Sequence, residues 1–161
     1  MINPHIETLE QKKLVGMKMT MTLIEKMTPQ LWRSFMVRRN EVTNRVSSDL
    51  ISMQLYREHT NFINFNPETI FEKWACVEVS DFNHIPDGMY AFDLTSGLYA
   101  VFHHRGSAAT GADTFKYIFA DWLPSSDYTI DSRPHFEVLG SKYMNNDPNS
   151  EEDIWIPIKP R

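Results

Sequence analysis

Glu137 is the residue of this sequence best placed to do chemistry. It stands between Phe136 and Val138 in an alternating stretch, downstream of Trp122 and Tyr128 and upstream of Trp155. A carboxylate drawn into an apolar cleft loses hydration. A lipophilic cation would neutralise it there, and aromatic faces would add roughly 0.5–2 kcal/mol each by cation–π attraction. The expected chemistry is recognition of a positively charged small molecule. The plainer alternative is an edge-strand glutamate facing water.

The candidate ligand-binding set is Glu137, Trp122, Tyr128, Trp155, Tyr99, Phe102 and Met53. Trp122 also fits simple core packing, because Phe115, Ile118, Phe119 and Trp122 recur at helical spacing. The methionine stripe Met17, Met19, Met21 reads as core or as an adaptable binding surface. His103 and His104 are adjacent on a strand and point to opposite faces, so they are poor joint metal ligands. His135 shares Glu137's face by alternation. No metal or cofactor signature is present: the sequence has no CxxC, no HExxH and no glycine-rich phosphate loop. No Ser-His-Asp or Cys-His arrangement supports nucleophilic catalysis.

With 161 residues the chain can bury a core as one domain. A formal charge of −5 argues against direct nucleic-acid binding and favours cationic partners. The Arg38-Arg39 cluster, near Arg33 and Arg45, reads as a solvated helix face. The lone cysteine, Cys76, sits in an apolar run and is expected to be buried and inert. The N-terminal stretch lacks signal-peptide features, and no apolar run reaches membrane-spanning length, so a cytoplasmic location without membrane contact is expected. Oligomeric state is left open.

The elements that position these residues follow from periodicity. Strands are expected over 12–23, 49–56, 74–80, 89–94, 98–104, 135–139 and 153–158. A first helix should open at Thr28-Pro29 and run to about Val42. A second should be capped by Asp113 and stopped by Pro124. Loops are expected at 57–66, 106–111 and 145–150, a helical turn at 68–73 and a turn at Tyr128. The halves, about 12–80 and 89–159, echo each other as strand, helix, strand, strand. Neither half covers its own sheet, so the two should pack with pseudo-twofold symmetry around a groove.

The ordered series Trp122-Leu123-Pro124, Tyr128, Pro134-His135-Phe136-Glu137, then Glu151–Lys159, together with GLYAVFHHRG and the opening PHIETLEQKKLVGMKM, resembles the GyrI-like superfamily over nearly the whole chain. That superfamily includes the effector-binding domains of bacterial AraC-type and MerR-type multidrug-responsive regulators. The resemblance implies an α+β fold of tandem strand-helix-strand-strand (SHS2) repeats, an antiparallel sheet with helices on one side and a central ligand cleft. It implies that Glu137 faces this cleft and that Met53, near its counterpart in the first repeat, marks an apolar half-pocket. The single domain would span 1–161, a stand-alone small-molecule binder without the regulators' helix-turn-helix. Two alternatives also follow from the resemblance. Some relatives hydrolyse cyclopropane-containing compounds, with Glu137 as base and Tyr128 or Tyr99 as acid or orienter. Gyrase-inhibitor relatives act on a protein partner, a role for which the acidic stretch Asn149–Asp153 is the candidate.

Overall fold

Alternating segments become strands, and the amphipathic ones become the helices that cover them. The computed structural model describes residues 3–57 and 60–161, with the main chain alone at 108 and 109. The order is β1 (His5–Leu9), β2 (Lys12–Met21), α1 (Thr28–Arg38), β3 (Leu50–Tyr56), β4 (Phe71–Val79), β5 (Tyr90–Leu94), β6 (Gly97–Arg105), α2 (Ala108–Lys116), β7 (Tyr128–Ile130), β8 (His135–Leu139) and β9 (Glu151–Pro160).

All described strand pairings are antiparallel, and the sheet runs β1-β6-β9-β8-β3-β4-β2-β5, with β7 added to the end of β9. The expected repeats are visible in that order. β2-α1-β3-β4 and β6-α2-β8-β9 are each strand-helix-strand-strand, and they join where β3 pairs β8. Each leading strand crosses over: β1 pairs β6 of the second repeat, and β5 pairs β2 of the first.

Both helices lie on one face. Leu31 and Phe35 of α1 pack on Val15, Ala75 and Val77, while Ile118 and Phe119 beyond α2 pack on Ala100, Phe102 and Ile156. The other face has its own core without helix residues, including Met53, Trp74, Tyr99 and Phe136. Leu9 of one edge strand and Leu94 of the other belong to that same cluster. The sheet therefore curls until its edges share a core. Gly16 permits the close approach of β2 to β4, since a Cβ there would collide with the Ala75 carbonyl oxygen and with Cys76.

Several boundaries differ from expectation. Phe71–Lys73, expected in a helical turn, begin β4. The segment 106–111, read as a loop, already contains the start of α2. Ser107 holds the cap position, Gly106 takes φ +137°, and Asp113 lies inside the helix. Small residues masked this helix start. Past α2 the chain widens into a π-helical turn (Tyr117–Trp122) before a last turn, Leu123–Ser125, so Pro124 does not stop the helix outright. Pro124 lacks the N–H an α-helical turn would require, which accounts for widening just before it. α1 ends at Arg38 and a 3₁₀ turn, Arg39–Glu41, follows. Arg38 is not simply solvated: it forks onto Glu41 (2.8 and 2.9 Å) and donates to the Asp87 carbonyl (2.6 Å). Residues 58 and 59 of the expected 57–66 loop, and the first two residues of the N-terminal stretch, lie outside the described residues.

Candidate ligand-binding cleft

The two helices cover the outer strands of each repeat and leave the central pair, β3 and β8, between them. Register fixes what faces this gap. Ser52 pairs Glu137, which pairs Ile154 on its other side, and Ala75 lies beyond Ser52. Glu137 is half-buried, and its small row neighbours Ser52 and Ala75 are buried. One row away, Lys73, Gln54, His135 and Ile156 alternate onto the same face.

Glu152 of β9 lies diagonally from Glu137, two residues before its partner Ile154 and on the same face. Burial pushes the Glu152 carboxyl up to about 8, reinforced by the Glu137 charge and a hydrogen bond between the two, and opposed by Lys73. Lys73 is itself buried. Burial lowers its pKa, while Glu137 and Glu152 offset part of that fall. With the Gln54 amide oriented to suit its neighbours, it accepts from Lys73 Nζ (2.5 Å) and donates to the His135 carbonyl (3.0 Å). The buried His135 is held down to about 3 by desolvation and stays neutral. Tyr143 also senses the pair: its pKa is raised by burial, then by Glu152 and Glu137.

An aromatic cluster occupies the end of the cleft beside His135. Phe62, from the segment joining β3 to β4, stacks on His135 (4.8 Å between centroids) and on Phe119 (5.1 Å). Tyr56 meets Phe62 edge-on at 4.9 Å, with Phe65 and Phe71 around it. The central face thus carries an acidic end and an aromatic end.

The candidate residues fall on two faces. Glu137 lies on the helix-side face, on the central strand β8. Phe102, Trp122 and Tyr128 share its face but belong to the packing under the second helix, where Trp122 meets Phe102 edge-on (5.2 Å) and stacks on Tyr128 (6.4 Å). Met53, Tyr99 and Trp155 lie on the opposite face. Tyr99 is fully buried and donates its hydroxyl to the Pro134 carbonyl (2.9 Å). Tyr128 pairs Pro160 while Glu137 pairs Ile154. Six residues of β9 span about 20 Å, so the structure does not bring Glu137 and Tyr128 together. His103 and His104 do point apart. His103 bridges Asp153 (2.8 Å) and Glu151 (2.7 Å), and buried His104 bonds Thr114 (2.9 Å). Among the described residues, no group of three His, Cys, Asp or Glu side chains could hold a metal ion.

Residues 5–158 match the family described as Cass2, integron-associated effector binding protein. The chain belongs to this family. Among curated proteins, the transcriptional regulator BrlR of Pseudomonas aeruginosa is 29% identical over 134 residues, covering 80% of this chain and 45% of the regulator. The chain thus spans less than half of that regulator's length. Among solved structures, SAV2435 bound to tetraphenylphosphonium superposes with a TM-score of 0.74 at 15% identity, over 98% of this chain and 94% of that one. The EcmrR C-terminal domain gives 0.71 at 10% identity, over 99% of each chain. The fold is the GyrI-like α+β fold expected from the sequence.

Within this effector-binding fold, sequence reasoning missed Glu152, Lys73 and Phe62. Two of them carried a signal. Glu152 is in phase with Ile154, Ile156 and Ile158, and Lys73 with Phe71, Ala75 and Val77. A charge in phase with a buried face marks a polar group inside a site. Phe62 had no periodic frame to reveal it.

Proposed function

We propose that this effector-binding protein takes lipophilic organic cations into the cleft between its helices, with Glu137 and Glu152 supplying the counter-charge. The observation that carries this reading is the carboxyl pair on the central face. Two carboxyls within hydrogen-bonding reach cannot easily both ionise, and Glu152 held up to about 8 retains its proton at neutral pH. An incoming cation supplies the missing positive charge, so the second carboxyl ionises as the ligand binds. The neighbouring rings of Tyr56, Phe62 and Phe119 offer apolar area and electron-rich faces. The ligand carried by SAV2435, tetraphenylphosphonium, is of this class.

Binding without turnover is the reading adopted, since of the two tyrosines expected as acid or orienter, Tyr128 is separated from Glu137 along β9 and Tyr99 lies on the opposite face with its hydroxyl on the Pro134 carbonyl. Tetraphenylphosphonium and neutral triphenylphosphine oxide test it by quenching of tryptophan fluorescence and by calorimetry. Glu137→Gln keeps the shape and removes a charge. It should weaken the cation about tenfold, the scale of a charged interaction worth about 1.5 kcal/mol, and leave the neutral compound nearly unchanged. Equal losses for both would sink the counter-charge role.

A further inference from the structure

The face opposite the helices holds a cavity that the proposed function does not use. It measures about 520 Å³, within the usual range for small-molecule sites. Its apolar floor is Leu9, Ile51, Phe136, Val138 and Trp155. Trp155 is partly buried and stacks nearly parallel on buried Phe136, 5.2 Å between centroids and 16° between planes. Together they present a flat aromatic wall. The buried Trp155 indole N–H has no hydrogen-bond partner among the described residues.

The rim carries the charge. Glu7, Glu10, Asp49 and Glu78 surround the cavity against one ammonium, Lys12. Lys12 is already paired with Glu78 (3.2 Å), and Glu7 with His5 (2.9 Å). Glu10 and Asp49 have no cationic partner within 4.0 Å among the described residues. An apolar wall beneath a net negative rim disfavours anions and gives a neutral ring only the wall. A flat cation gains both, with its ring against Trp155 and its charge toward Glu10 and Asp49.

We propose that this cavity is a second binding site, selective for small aromatic monocations. It lies back to back with the cleft: on β8, Glu137 faces the helices while Phe136 and Val138 face this cavity. The proposal stands on its own residues and does not require Glu137 to bind anything.

The test uses the whole chain, N-methylquinolinium as probe and quinoline, kept unprotonated, as its neutral counterpart. The readout is the Trp155 indole N–H resonance, assigned by its absence in Trp155→Phe. In Glu137→Gln protein, where the cleft has lost one of its two carboxyls, N-methylquinolinium should still shift that resonance saturably, and about tenfold more tightly than quinoline does. Glu10→Gln with Asp49→Asn should erase most of the cation's advantage and leave quinoline unchanged, with the other indole resonances reporting an intact fold. The proposal is overturned if the resonance stays still in wild-type protein, or responds equally to both compounds. It is also overturned if the response disappears in Glu137→Gln, which would trace it to the cleft. A shift that depends on protein concentration alone would assign the face to a second copy of the chain and exclude the small-molecule site.

Discussion

Glu137 and Glu152 lie diagonally across β8 and β9, close enough to hydrogen-bond, and Glu152 keeps its proton up to about pH 8. The pair is therefore a proton store whose contents depend on what else is in the cleft.

Cation binding should release a proton near neutral pH. Calorimetric titration of tetraphenylphosphonium in buffers of different ionisation enthalpy should give heats that vary with the buffer, and affinity should rise as pH approaches about 8. Glu152→Gln should abolish the buffer dependence. Buffer-independent heats in the wild-type protein would remove the shared proton from the mechanism.

Lys73 is the chain's own cation in the cleft, and it draws on both carboxylates. A visiting cation competes with it. Lys73→Met keeps a flexible apolar side chain and removes the charge. It should tighten tetraphenylphosphonium about tenfold, or about 1.4 kcal/mol, with little effect on triphenylphosphine oxide. A weakened cation would mean that Lys73 organises the site instead of competing for it.

Stability should respond to pH in two opposed ways. His135 is neutral in the fold down to about 3, against an ordinary 6.5. The unfolded chain binds the extra proton in that window, so stability falls as pH drops below about 6.5. Glu152 is raised from 4.5 to about 8. There the folded chain binds the extra proton, so stability falls as pH rises through that window. Denaturant midpoints across pH should show the acid-side loss reduced in His135→Gln and the alkaline-side loss reduced in Glu152→Gln. Unchanged slopes in both variants would show that other groups set the profile.

Phe62 occupies space that a ligand at the aromatic end of the cleft would need. Phe62→Ala should lower stability by about 1–3 kcal/mol and speed tetraphenylphosphonium association in stopped-flow mixing. An unchanged association rate would leave Phe62 as packing alone.

Much of the fold was legible because β-strand periodicity is local. The β8 and β9 alternations appear in the sequence, and the strand-helix-strand-strand echo marked out the two halves, though not the β3–β8 pairing that joins them. Alternation also separates Trp155 from Ile154 and Met53 from Ser52. It does not say which face the helices cover, and that decided where Tyr99, Trp155 and Met53 went. Glu137 stood out in the sequence, and its neighbours in the fold did not. Glu152 stood in the acidic stretch Asn149–Asp153, read as a candidate contact for a protein partner. Lys73 stood in a segment read as a turn. Each acquires its meaning from strand register, which pairs residues far apart in the chain. The start of α2 was hidden for another reason: glycine, serine, alanine and threonine have weak preferences, and packing of the later Ile118 and Phe119 holds that helix in place.

The exchange of leading strands bears on ancestry and folding. β1 completes the second repeat and β5 the first, with each strand lying on the sheet edge of the other half. A polypeptide holding a single repeat would leave its leading strand without a mate and its partner's edge bare. Two such copies could satisfy each other by trading those strands across the axis, so a forerunner of half this length would have worked as an intertwined homodimer. Fusion of the two copies then turns an assembly step into a chain-closure step. Neither half of the present chain should survive alone after cleavage between β4 and β5, yet the two fragments, mixed together, should find each other and rebuild the sheet.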